Sequence, residues 1–257
     1  MSRLHLTFEA ADATLAGTLD TAAGASGLLL VSGGNEIRAG AFSGQAALAA
    51  RIAAAGFPVF RFDRRGVGDS GGENKGFRKS ARDIESALAA FRVIAPNVHR
   101  VVGFGNCDAA SALMLAHGAE CDALVLSNPW TIENDDAAPP PAAVRARYAD
   151  KLRNPREVAR LLTGGVNLAK LARGLVHAAR PNVARTTLAG EMAAGLAAFE
   201  GPVRIVLAGA DRTAQMFAAN WDAADPRIAR CEGAGHAWGE PQARDFLDRH
   251  LLEMLRG

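Results

Sequence analysis

Three side chains in this sequence have the types and the order for nucleophilic chemistry. They are Cys107 in the run Gly105-Asn106-Cys107-Asp108-Ala109, Asp211 in VLAGADRTA and His236 in CEGAGHAWG. Cys107 follows an apolar run and precedes small residues suited to open a helix, so the chain must turn sharply there. A nucleophile held at such a strand-to-helix turn needs small residues two positions on either side, because larger ones would collide with the adjoining strand and helix. Gly105 and Ala109 meet that demand. The position also puts the thiol at a helix N-terminus, where the dipole and free N–H groups favour a thiolate. The competing reading is a small buried cysteine, the usual fate of a free thiol.

The rest of the constellation separates the two readings. A nucleophile of this kind is followed along the chain by an orienting acid and then by a histidine base. Asp211 and His236 come in that order, each in the turn after a late apolar run. Of the six histidines, His236 alone lies in a Gly-rich turn of that kind; the alternative for it is a local hydrogen bond within the turn. Asp211 could instead cap the helix that follows it, and Glu133, Asp135 and Asp136 are rival acids in a loop several residues past its strand. A tetrahedral intermediate also needs N–H donors for its oxyanion. The backbone N–H of Asp108 is the expected first donor. The second is expected from SGGNEIRAG, where Gly34 or Asn35 is in position and an ordinary Gly-Gly turn is the bland alternative. This chemistry calls for no metal and no organic cofactor.

The elements that must position these residues can be read from periodicity. LHLTFEA and ATLAGTLD alternate at a spacing that suits an antiparallel hairpin. From Gly27 onward short apolar runs alternate with Ala-rich helical segments, one near Phe42 to Ala55, one near Arg78 to Ala95 and one from Cys107. That rhythm means a mostly parallel sheet with helices on both faces. It breaks after Asn128 and resumes at GPVRIVLAGAD, ending in a helix from about Pro241 to Leu255. Residues 1–128 and 201–257 therefore read as the α/β core, and 129–200 as an inserted helical cap. Within the cap, Leu161, Leu168, Leu171, Leu175 and Val176 share one stripe. Ten basic residues from Arg145 to Arg185 meet only Asp150 and Glu157 there, either a solvated face or a lure for an anionic substrate.

Composition narrows the function classes. The 257 residues are 49% hydrophobic and 22% charged, usage typical of a soluble globular protein. No apolar run approaches the roughly 18 residues of a membrane span, so stable membrane insertion is not expected. A net charge of +2, from 29 basic against 27 acidic residues, gives no reason to expect a nucleic-acid partner. The three cysteines have neither metal-ligand spacing nor an even count. The first residues, MSRLHLTFEA, lack the apolar stretch of a secretory signal, and a cytoplasmic location is expected.

With these residues assembled, the chain resembles the α/β-hydrolase superfamily over nearly its whole length. FDRRGVGDSGG, Phe62 to Gly72, is similar to the Asp-x-Arg-Gly-x-Gly-x-Ser loop that many such enzymes carry after their second parallel strand, and a structural role is expected for it. GGNEIRAG, FPVFRFDRRGVGDSGG and GNCDAAS together resemble the hydrolases encoded beside exosortase A systems, particularly the hydrolase 1 type, and that resemblance implies a cysteine elbow. Dienelactone hydrolases share Cys-Asp-His and a Gly-x-Cys-x-Gly elbow; Ala109 and the large insertion set this chain apart from them. The expected activity is hydrolysis of a small-molecule carboxylic ester or thioester through a thioester acyl-enzyme. An acyltransferase using the same intermediate and a binding protein that keeps the fold without turnover are the alternatives.

Overall fold

The computed structural model describes residues 2–133 and 187–257, and within them one eight-stranded sheet carries the candidate site. In chain order its strands are β1 (Arg3–Ala10), β2 (Ala13–Asp20), β3 (Ser26–Val31), β4 (Val59–Phe62), β5 (Arg100–Asn106), β6 (Ala123–Ser127), β7 (Val203–Ala208) and β8 (Ile228–Cys231). They lie side by side as β1-β2-β4-β3-β5-β6-β7-β8. Only β2 runs against the others, pairing antiparallel with β1 and β4. The helices are α1 (Gly44–Ala54), α2 (Ala81–Ile94), α3 (Asp108–Leu115), α4 (Thr187–Ala197), α5 (Arg212–Asn220) and α6 (Pro241–Arg256).

The parallel strands β3 to β7 are largely buried on both faces, which is why they appear in the sequence as mostly apolar runs rather than alternating ones. In β3, Leu28 and Leu30 pack under α1 and α6, while Leu29 and Val31 point to the opposite layer with α2, α3, α4 and α5. The helices meet the sheet with single stripes: Ile84, Ala87, Leu88 and Phe91 in α2, and Ala243, Leu247, Leu251 and Leu255 in α6. Gly195 lets α4 press on the end of α3, because a Cβ there would stand 2.2 Å from the Met114 carbonyl oxygen.

Two boundaries differ from the periodicity. The first helix begins at Gly44 rather than near Phe42, because Phe42 and Ser43 hold left-handed φ values of 50° and 58° that no α-helix admits. The second begins at Ala81, after a separate short 3-10 turn over Phe77–Lys79. The Leu161 to Val176 stripe and the basic run from Arg145 to Arg185 lie outside the described residues.

Candidate active site

All the candidate residues sit at the carboxyl edge of the sheet, where strand ends and their loops converge. Cys107 bridges β5 and α3 with φ 63° and ψ −127°, a conformation that is strained for any residue bearing a Cβ. The strain is held in place from both sides. The Cys107 N–H donates to the Ser127 carbonyl at 2.9 Å, and its own carbonyl accepts from the N–H groups of Ala110 and Trp130. Gly105 is obligatory for the same turn: a Cβ there would lie 2.6 Å from the carbonyl carbon of Ala109, within the first turn of α3. The thiol is partly exposed.

His236 and Asp211 arrive from the loops after β8 and β7. The imidazole Nδ1 lies 3.0 Å from Oδ2 of Asp211, whose side chain is only 7% exposed. The same Oδ2 accepts the N–H of Ala214 at 3.0 Å, so Asp211 both caps α5 and faces the histidine; the two readings of this residue are compatible. The hydrogen bond to Asp211, joined by one with Cys107, pushes the His236 pKa up to about 10 against the opposing effect of burial. Of the rival acids, Glu133 accepts the N–H of Leu188 at 2.6 Å, at the start of α4, while Asp135 and Asp136 lie outside the described residues.

The oxyanion candidates form a tighter arrangement than the sequence suggests. Asp108 follows Cys107 at the start of α3, and its Oδ1 accepts the Gly34 N–H at 2.6 Å. Its Oδ2 stands 3.2 Å from the buried guanidinium of Arg64, which also donates to the Gly34 carbonyl. Gly33 has no room for a side chain, since a Cβ would lie 2.8 Å from the Asn106 carbonyl oxygen and 2.9 Å from Oδ1 of Asp108. Gly34 N–H is thus engaged by a carboxylate, whereas the Asn35 N–H has no partner among the described residues. Asn35 instead receives Asn74 Nδ2 on its side-chain oxygen at 2.9 Å.

Sequence reasoning missed Asn106 and Arg64. Arg64 belongs to the FDRRGVGDSGG loop. There Asp63 does the bracing, binding Arg38 and the N–H of Asp69, while Arg64 alone reaches across to the elbow. Asn106 ends β5, with its amide Nδ2 3.4 Å from Nε2 and 3.3 Å from the carbonyl oxygen of His236. A polar residue closing an apolar strand was the available signal. Asn106 and His236 also border a cavity of about 340 Å³ between the starts of α1 and α6, walled by Phe42, Leu48, Trp238 and Leu247. No group of residues suited to hold a metal ion occurs among the described residues. None of their helices is long and apolar enough to cross a membrane.

This sheet order, with a strained residue between β5 and the following helix, defines a class, and the sequence agrees with it. Residues 28–249 match the model of the Alpha/beta hydrolase family, and the chain belongs to that family. No curated protein sequence matches it. Among solved structures it is similar to the alpha/beta hydrolase GrgF from Penicillium sp. sh18, at 18% identity and a TM-score of 0.65, covering 100% of this chain and 99% of that one. It is similar to the Pyrococcus furiosus esterase Pf2001 at 14% identity and a TM-score of 0.62, covering 99% and 90%. The dienelactone hydrolase from Anabaena variabilis ATCC 29413 gives 13% identity and a TM-score of 0.62, covering 99% and 97%. At these identities the likeness is one of fold.

Proposed function

We propose that this protein hydrolyses a carboxylic ester or thioester of a small molecule through a thioester acyl-enzyme on Cys107, with His236 as base and Asp211 as its orienting acid. The observation that carries this reading is the line from Asp211 through His236 to a thiol held in a strained turn. His236, hydrogen-bonded to Cys107, takes the thiol proton to give thiolate and imidazolium. The thiolate adds to the acyl carbon, forming the C–S bond while the carbonyl π pair moves to oxygen. Collapse expels the alcohol or thiol, which takes the proton from Nε2. His236, now neutral, removes a proton from water, the hydroxide adds to the thioester carbon, and breakage of the C–S bond frees the acid and restores the thiolate.

The Asp108 N–H supplies one donor to both oxyanions. In this reading the Asn35 N–H, which has no partner among the described residues, is the second donor, whereas Gly34 N–H joins only if the Asp108 carboxylate gives it up. Kinship with the exosortase A-associated hydrolase 1 type is part of this proposal and rests on the motifs around Gly33, Asp63 and Cys107.

A panel of chromogenic acyl esters of increasing chain length tests the reading. The wild type should release the chromophore and accumulate a covalent acyl adduct on Cys107, detected by mass spectrometry, and Cys107→Ala should do neither. Cleavage that survives in Cys107→Ala overturns the assignment. Release that requires an added alcohol or amine marks an acyltransferase instead.

A further inference from the structure

We infer that Asn106 is the positioning residue for His236: its amide, locked by the ends of two neighbouring strands, fixes the imidazole and favours its neutral form protonated on Nδ1. The inference rests on the proposed role of His236 as base. Its foundation is a hydrogen-bond network whose directions are forced. The Trp238 indole N–H can only donate, and it donates to Ser127 Oγ at 2.9 Å. The Ser127 hydroxyl is thereby free to donate onward, to Oδ1 of Asn106 at 2.7 Å. Asn128 is oriented independently, because its Oδ1 accepts the Ala208 N–H at 2.8 Å, which turns its Nδ2 toward the same Asn106 oxygen at 3.0 Å. Both Ser127 and Asn128 are fully buried, so no water competes for these bonds.

Two donors converging on Oδ1 leave the Asn106 amide a single orientation, with Nδ2 toward His236. One N–H of Nδ2 meets the His236 carbonyl and ties the loop after β8 to the elbow. The other faces Nε2. Nε2 can accept that proton only when the imidazole is neutral, so Asn106 favours the form that Asp211 and Cys107 oppose. The titratable and charged groups around the ring are Asp211 after β7, Cys107 at the elbow and, across the cavity, Glu36 before α1, Arg51 on α1 and Arg244 on α6. No other amide faces Nε2 among the described residues. In the acyl-enzyme of the proposed cycle the imidazole is neutral, and there Asn106 keeps Nε2 turned inward until water arrives.

The test is a titration of His236 by NMR of ring-labelled histidine in a Cys107→Ala background, where no thiol competes for Nε2. Asn106→Ala should raise the His236 pKa by on the order of half a unit or more. In the Cys107-containing enzyme the same change should lower kcat about tenfold or more, with a smaller change in KM. Asn106→Asp keeps the acceptor for Ser127 and Asn128 but loses the N–H, so it should fold and should also raise the pKa. An unchanged pKa in either variant overturns the inference, as does a change in melting temperature alone. If Asn106→Ala does not fold, the ring nitrogen shifts of the Cys107→Ala parent still decide, since a neutral tautomer protonated on Nε2 contradicts the inference. Ester cleavage by Cys107→Ala would refute the catalytic reading and leave the titration result standing.

Discussion

Oδ2 of Asp211 serves two donors at once, His236 Nδ1 and the Ala214 N–H, each at 3.0 Å. An asparagine there still offers one carbonyl oxygen to both, so Asp211→Asn should fold with α5 capped. What it loses is the charge that favours the imidazolium. Turnover should fall on the order of a hundredfold or more, measured with the best ester of the panel; retention of activity would show that another carboxylate does the work. The same contact makes a prediction about pH. The folded pKa of His236, about 10, lies above its ordinary 6.5, so the folded state binds this proton more tightly than the unfolded chain. The stabilisation is complete below about pH 6.5 and is lost as pH rises through about 10. The melting temperature should decline across that window, and the decline should flatten in Asp211→Asn; equal slopes in both proteins would sink the linkage. The placement of Cys107, Asp211 and His236 at neighbouring strand ends was legible because the proposed chemistry dictates their chain order and turn positions. Asn106 and Arg64 were not, because their partners lie 16 to 130 residues away and meet them only in the folded chain.

At the scale of elements, the apolar runs of β3 to β7 and the stripes of α2 and α6 were readable, since burial on two faces or one leaves a different period in the sequence. The start of α1 was not, because it depends on left-handed φ values at Phe42 and Ser43 and neither residue type announces one. The elbow couples two elements through the absence of one side chain. Gly105→Ala places a methyl 2.6 Å from the backbone of α3, which cannot swing aside as a flexible side chain would. The expected result is a loss of about 1–3 kcal/mol in stability by urea denaturation, the usual cost of overpacking. Alkylation of Cys107 in the folded variant should also slow by roughly tenfold as the turn opens and the thiol leaves its place beside His236. Unaltered stability and labelling would mean that the strand and helix adjust without strain.

For the whole molecule, the three cysteines sample different depths. Cys121 is 5% exposed, packed against Gly103 of β5, and burial pushes its pKa up to about 12, so it has no thiolate to offer while the protein is folded. Cys231 is also held above the usual thiol range, first by burial and then by Glu232 and Glu240. Brief iodoacetamide treatment should label Cys107 first, with activity lost in proportion, and Cys121 only at urea concentrations that unfold the domain. Early labelling of Cys121 or Cys231 with activity retained would contradict the assignment of Cys107. The packing of the β8 loop has an optical consequence. Trp238, one of three tryptophans, is 4% exposed, lies parallel to Phe246 with ring centres 5.9 Å apart, and walls the cavity beside His236. Its indole emission is therefore a built-in reporter: a compound that enters that cavity changes the ring's surroundings directly, and its occupancy can be followed by fluorescence without a label or a turnover event.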